Sequence, residues 1–306
     1  MKFDVVIGNP PYQNSGKTKG NKIWPKFIMF GSEIVKKDGI LSMITPSSWT
    51  SGGQNIVEGK YGVLKDLFSK RQILFASFNN ITKRFFKVGI DISYFIMENK
   101  DIYQNSTFEL QDDKIIKMNL KDKEIISPKM TYLDVSLVDK LINKPKEKFD
   151  MISFDYSGHI DMDRSDIKTD EYPHEFWIMG SDKTNNLMIK YQKNEIKPHF
   201  KRKKLLISMN VDNYHPYYSN ENQMTTRQGF VLFLNDNENK ENVYSVFYSK
   251  PFKYLIQYLR TSGFIKTNIA KNLPKIDLTK NWTDQELYEH FSLTEEEIKY
   301  VEENVK

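Results

Sequence analysis

The sequence has no cysteine among its 306 residues. That excludes disulfides, thiolate nucleophiles and cysteine-held zinc. Histidine is scarce as well: the five, at positions 159, 174, 199, 215 and 290, are too scattered for a zinc motif. No apolar run approaches the roughly 18 residues of a membrane span, and Met1 leads straight into a strand-like segment with no secretory leader. A cytoplasmic location and no membrane partner are the expectation. No Gly-x-Gly turn follows a strand, and Gly52-Gly53 falls in a loop after Trp49-Thr50. No internal repeat is present, and the scattered methionines read as core.

What is present describes a folded chain. Hydrophobic residues make up 39%, charged residues 28% and aromatics 13%, a balance foreign to disordered segments. The length suits two ordinary domains. A net charge of +5 permits a nucleic-acid partner without requiring one.

Residues 3–8, FDVVIG, form a short apolar run suited to a buried strand. A loop rich in Asn, Pro, Gly and Lys follows. Residues 24–37 read as a helix with Phe27, Phe30, Ile34 and Val35 at helical spacing, stopped by Asp38-Gly39. ILSMIT (40–45) is a second short strand closed by Pro46. Helix, glycine stop and buried strand are the rhythm of a parallel α/β sheet. Strands are expected around 73–78 and 89–98, a helix at 60–71, a hairpin or peripheral strands in 101–130, and a short helix at 132–143. Residues 143–148, NKPKEK, are the linker candidate. Beyond them, aromatic strand segments alternate with polar turns. FVLFLND (230–236) is the clearest strand, and a helix over 241–260 should kink or split at Pro251. Thr283-x-x-Glu286 and Thr294-x-x-Glu297 are capping boxes that predict two short C-terminal helices.

The sharpest feature is Asn9-Pro10-Pro11-Tyr12, directly after the first strand. Asn-Pro in isolation is a common turn opener. Here the two prolines stiffen the chain at the carboxyl end of a strand, the edge where open α/β sheets place ligands. An Asn amide oxygen and a Pro carbonyl can accept two hydrogen bonds from one amino group, while a tyrosine can stack on a flat ring. The set suits a planar substrate with an exocyclic amino group, such as adenine.

FDVVIGNPPYQ resembles the catalytic motif of amino-methyltransferases, above all the adenine-N6 DNA methyltransferases of restriction-modification systems. The helix at 22–37, GILSMITPSSW (39–49), FFKVGIDISYFIMENK (85–100) and the C-terminal LPKIDLTKNWTDQELYEHFSLTEEEIKYVE resemble segments of the large Eco57I-like members. The resemblance implies an α/β fold: a partial doubly wound, Rossmann-like methyltransferase sheet followed by an α+β target-recognition domain. The implied domains are 1–145 (catalytic, partial), 146–280 (DNA target recognition) and 281–306 (helical tail). It implies that Asn9 and Pro10 accept hydrogen bonds from the adenine N6 amino group, with Pro11 completing the motif. Tyr12 would stack on the flipped base, whose extrusion costs a few kcal/mol. Phe86, or alternatively Phe85, would cover the other face, although either could equally be core. S-adenosyl-L-methionine is the implied methyl donor, double-stranded DNA the partner, and no metal is needed.

In that family the donor-binding glycine loop precedes the NPPY segment, and here eight residues precede Asn9. The expectation is that a second polypeptide or subunit carries the donor site; a shortened or decayed gene product is the other possibility. In the second region the run Lys201-Arg202-Lys203-Lys204 and the more distant Arg227 could contact phosphates or bases, or could be a solvated charge run among His199, Tyr214, Tyr217 and Tyr218. Asp161-x-Asp163-x-Ser165 fails as a calcium loop, with Asp166 where glycine is needed. Glu238-x-Lys240 reads as a turn, not a nuclease motif. The rival reading is a non-catalytic DNA-recognition or regulatory subunit whose NPPY is vestigial. A third keeps methyl transfer but moves it to RNA or a glutamine side chain.

Overall fold

The computed structural model describes residues 1–13, 22–51, 63, 67–79, 91–121, 123, 125–153, 164–179, 187–195, 201–208, 214–221, 223–225, 229–259 and 267–305. The chain divides into two compact units, Met1–Asp139 and Lys140–Lys306. No helix among the described residues is long and apolar enough to cross a membrane.

The first unit is built on six strands: β1 (Phe3–Gly8), β2 (Val35–Pro46), β3 (Gln72–Ser77), β4 (Ile92–Glu98), β5 (Ser106–Glu109) and β6 (Ile115–Met118), in the order β1-β2-β4-β3-β5-β6. β1 and β2 are parallel and joined through helix α1 (Trp24–Ile34), as the helix–strand rhythm leads one to expect. β4 departs from it. It inserts between β2 and β3 and runs antiparallel to both, so the sheet is mixed α/β and not a parallel half-sheet. The alternating burial of ISYFIME, one side fully buried and the other partly, is the mark of an antiparallel strand. Residues 106–118 form the expected hairpin.

One face of the sheet holds the core: Trp24 and Ile28 from α1, Leu41 and Met43 from β2, then Trp49, Phe68, Phe95 and Phe108. Val6 and Tyr12 pack against this cluster. Side chains alternate along a strand, so Phe3, Val5 and Ile7 point to the opposite face, where they are 43%, 53% and 77% exposed. Among the described residues β1 is also the outermost strand of the sheet.

The helix before β2 differs from the sequence reading in two ways. Its buried stripe is Trp24, Ile28 and Gly31, while Phe27 and Phe30 lie on the exposed side. Both sets have helical spacing, and Gly31 decides between them: a Cβ there would meet Leu41 and Met43 side chains within 2.8 Å. The helix also ends at Ile34, before Asp38-Gly39. Val35 turns extended and pairs with Phe3, and the register then slips so that Val5 pairs with Ile40. Asp38-Gly39 makes the bend inside that slip, with Asp38 at φ 61° and no room for a Cβ on Gly39, 2.8 Å from the Asp4 carbonyl oxygen.

The first unit closes with α2 (Tyr132–Val138), capped by the Thr131 side chain. The second unit carries two four-stranded sheets, β13-β9-β10-β8 and β12-β11-β14-β7, antiparallel except where β13 (Gln223–Thr225) meets β9 (His174–Met179). The remaining strands are β7 (Ile152–Ser153), β8 (Arg164–Ser165), β10 (Leu187–Gln192), β11 (Lys204–Ser208), β12 (Tyr217–Ser219) and β14 (Gly229–Phe233). Helices follow the strands. α3 (Lys240–Phe247) breaks before α4 (Lys250–Lys253), whose first turn carries Pro251, so the expected split occurs where proline forbids a continuous ladder. After α5 (Thr267–Lys271), both capping boxes are formed, at the starts of α6 (Asp284–His290) and α7 (Glu295–Asn304).

Candidate functional site

The ladder between β1 and β2 ends at Gly8, which pairs with Met43. Asn9 follows at the carboxyl end of the strand and is exposed; Pro10 is buried, Pro11 exposed and Tyr12 half-buried. The two prolines have no N–H to lose and hold φ near its fixed value, so the chain leaves the sheet on a stiff path. The far end of that path is tied down. The Tyr12 carbonyl accepts the Ile23 N–H at 3.2 Å, one residue before α1, and Gln13 bridges to Lys22.

The Tyr12 hydroxyl donates a hydrogen bond to Asn9 Oδ1 at 3.1 Å. Burial raises the Tyr12 pKa above the ordinary tyrosine value, so the phenol stays protonated and acts as a donor. The site is therefore a neutral amide and a neutral phenol on a rigid bend. An amide oxygen has two acceptor directions, and one remains for a further donor.

The turn that follows β2 is firmly packed. Trp49 is fully buried, its indole N–H donating to Ser93 Oγ at 2.9 Å, with Phe68 edge-on at 4.8 Å and Phe78 at 5.4 Å. Thr50 Oγ1 donates to the Ser127 carbonyl at 2.7 Å. The TPSSW segment is thus a packed buttress.

Phe85, Phe86, His199, Arg227, Asp161 and Asp163 lie outside the described residues. No group of three or more His, Cys, Asp or Glu side chains among the described residues is placed to hold a metal ion. Glu238 sits in the turn before α3, its carboxylate accepting the Asn235 N–H.

The basic run is not uniform. Lys201 is exposed, Arg202 lies over the Phe233 ring at 4.2 Å, and Lys203 Nζ donates to the Asp236 carbonyl at 2.7 Å. Lys204 must be withdrawn from the phosphate-contacting set. It opens β11 between β12 and β14, is fully buried, and donates to the carbonyls of Glu221 at 2.8 Å and Arg202 at 3.1 Å. Burial lowers its pKa from 10.5 to about 8, the nearby Glu221 charge pulling the other way.

The sign of the resulting pH dependence follows. Between about pH 8 and 10.5 the unfolded chain keeps a proton on Lys204 that the folded chain gives up, so stability rises with pH there. Tyr214 and Tyr248 act oppositely near and above pH 10, since burial lifts both phenols and Tyr248 reaches about 12. Urea midpoints compared between pH 7.5 and 9.5 should therefore increase in the wild type relative to Lys204→Met, which has no proton to release. Parallel curves for the two proteins would mean that Lys204 carries no burial penalty.

Residues 1–80 match the sequence model of the Eco57I restriction-modification methylases. An uncharacterized adenine-specific methylase of Mycoplasma pneumoniae is 37% identical over 115 residues, which cover 35% of this chain and 26% of that protein. Among solved structures, the type IIL restriction-modification enzyme MmeI in complex with DNA aligns over 90% of this chain and 46% of its own, at 12% identity and a TM-score of 0.43. The type IIG restriction endonuclease BpuSI aligns over 95% and 49%, at 11% identity and a TM-score of 0.32. The chain thus spans about a quarter of the curated relative and just under half of either structure.

Proposed function

We propose that this chain is the catalytic and DNA-reading portion of a sequence-specific adenine-N6 DNA methyltransferase. The observation that carries the reading is the exposed Asn9 amide on a proline-stiffened bend at the carboxyl edge of the sheet, with the Tyr12 ring beside it. The match of residues 1–80 to restriction-modification methylases supports it.

The chain's own residues work on the adenine side. Asn9 Oδ1 and the Pro10 carbonyl accept the two N6 hydrogens, which draws the nitrogen lone pair out of conjugation with the ring. Tyr12 covers one face of the extruded base, a contact of about 1–3 kcal/mol that offsets part of the unstacking cost. Phe86, or Phe85, is assigned the other face. S-adenosyl-L-methionine supplies the methyl group at an electrophilic carbon. No glycine turn at a helix N-terminus is found among the described residues to hold it, and its binding is assigned to residues outside this set, on the same or a second polypeptide. The exposed apolar side chains of Phe3, Val5 and Ile7 on one face of β1 support a covering partner. The test is whether label from methyl-labelled donor reaches adenine N6 in duplex DNA, and whether Asn9→Ala stops it. Label on cytosine, RNA or protein would overturn the substrate assignment.

Lys201, Arg202 and Lys203, with Arg227, are assigned to DNA contact. Replacing Lys201 and Lys203 by Gln should weaken binding to all duplexes alike. It should also flatten the dependence of log K on log salt by about 0.9 per lost contact. Altered sequence preference at an unchanged salt slope would instead make them base readers.

A further inference from the structure

An exposed asparagine has a choice that an exposed serine does not. The oxygen and nitrogen ends of its amide have nearly the same shape, and the terminal torsion is broad. Only one end can accept a hydrogen bond, so an asparagine whose task is to accept must be prevented from turning over. Asn9 is solvent-exposed and past the end of the β1 ladder, where the sheet does nothing to choose for it.

We propose that the Tyr12 hydroxyl is the positioning group that makes this choice, fixing the oxygen end of the Asn9 amide as the acceptor. The inference rests on the adenine-methyltransferase reading and adds to it a role for the hydroxyl distinct from any stacking by the ring. Its basis is the 3.1 Å hydrogen bond from Tyr12 to Asn9 Oδ1, spanning three residues across the two prolines. Among the described residues the Tyr12 hydroxyl is the partner of that amide. A donor can orient an acceptor only if it is itself held. Tyr12 is held three ways: it packs against the hydrophobic core of the first unit, its carbonyl is bonded to Ile23 at 3.2 Å, and the next residue bridges to Lys22. The rigidity of α1 is thereby passed through a phenol to an otherwise mobile amide. The second lone pair of Oδ1 stays available to an incoming amino group. With the amide reversed, N–H would confront N–H.

Tyr12→Phe separates the hydroxyl from the ring and keeps the packing on the core. In the 306-residue chain, the 15N order parameter of the Asn9 side-chain amide should fall relative to the wild type. In the enzyme with its donor-binding polypeptide, kcat should drop about fivefold, roughly 1 kcal/mol, with KM for DNA unchanged, whereas loss of the ring in Tyr12→Ala should raise KM. An equally ordered Asn9 amide in Tyr12→Phe, an unchanged kcat, or a faster enzyme would each overturn the proposal; the last would make the hydroxyl a restraint. Full methylation by Asn9→Ala would instead overturn the catalytic role given to the Asn9 amide, and the order parameter would still decide whether the hydroxyl positions it.

Discussion

Replacing Asn9 by Ala should reduce N6-adenine methylation by at least 100-fold while leaving duplex affinity within about twofold. The magnitude follows from what one hydrogen-bonding group is worth where charge develops at the reacting atom, about two to three orders of magnitude in rate. Nitrogen becomes cationic as it takes the methyl group, and its hydrogens then bind an acceptor more strongly than in the ground state. The Asn9 oxygen is thus an interaction realised mainly in the transition state, and its loss lowers kcat more than it raises KM. Folding should be spared, because Asn9 is exposed and lies beyond the β1–β2 ladder, and substitutions at such positions usually stay within about 0.5 kcal/mol. Asn9→Asp keeps an acceptor and should keep measurable activity. Methylation by Asn9→Ala at the wild-type rate would remove the amide from catalysis and leave the vestigial-motif reading, a DNA-recognition subunit, in its place.

The parts of this structure legible in the sequence are those fixed within a few residues. Both C-terminal capping boxes formed because Thr and Glu three apart satisfy each other's backbone wherever the helix sits. The break at Pro251 is equally local. Strand β1 and the Asn9–Tyr12 bend follow from an apolar run meeting two prolines. What escaped was decided at a distance. Trp24-Ile28-Gly31 and Phe27-Phe30-Ile34 are equally good helical stripes, and only the approach of β2 to Gly31 selects the first. KRKK reads as four equivalent cations until Lys204 is seen paired with Ser219 on one side and Phe233 on the other. The direction of β4 has no signature beyond its alternation. Long-range pairing also explains why the apolar run at 3–8, read as a buried strand, leaves Phe3, Val5 and Ile7 exposed on one face.

That uncovered face carries the second large expectation: the 306-residue chain alone should show no S-adenosyl-L-methionine binding tighter than millimolar by calorimetry. A nucleotide-like donor in an open α/β sheet is held by a glycine turn at a helix N-terminus and an acidic partner for its ribose. The 14 glycines of this sequence include no Gly-x-Gly pair, and the second unit's sheets are almost wholly antiparallel, without a parallel strand–helix–strand unit among the described residues. A strand–Gly-x-Gly–helix unit should add a strand beside β1 and lay its helix over the face that bears Phe3, Val5 and Ile7. Its addition should bring donor binding to the micromolar range, at least a hundredfold tighter and worth about 2.8 kcal/mol or more. The amide protons of Phe3–Ile7 should become protected from exchange at the same time. Val5→Lys places a charge on that exposed face at a half-exposed position, so it should block that gain without unfolding the first unit. Micromolar donor binding by the monomeric chain, or a gain that ignores Val5→Lys, would mean that the donor sits on these residues or on a different surface.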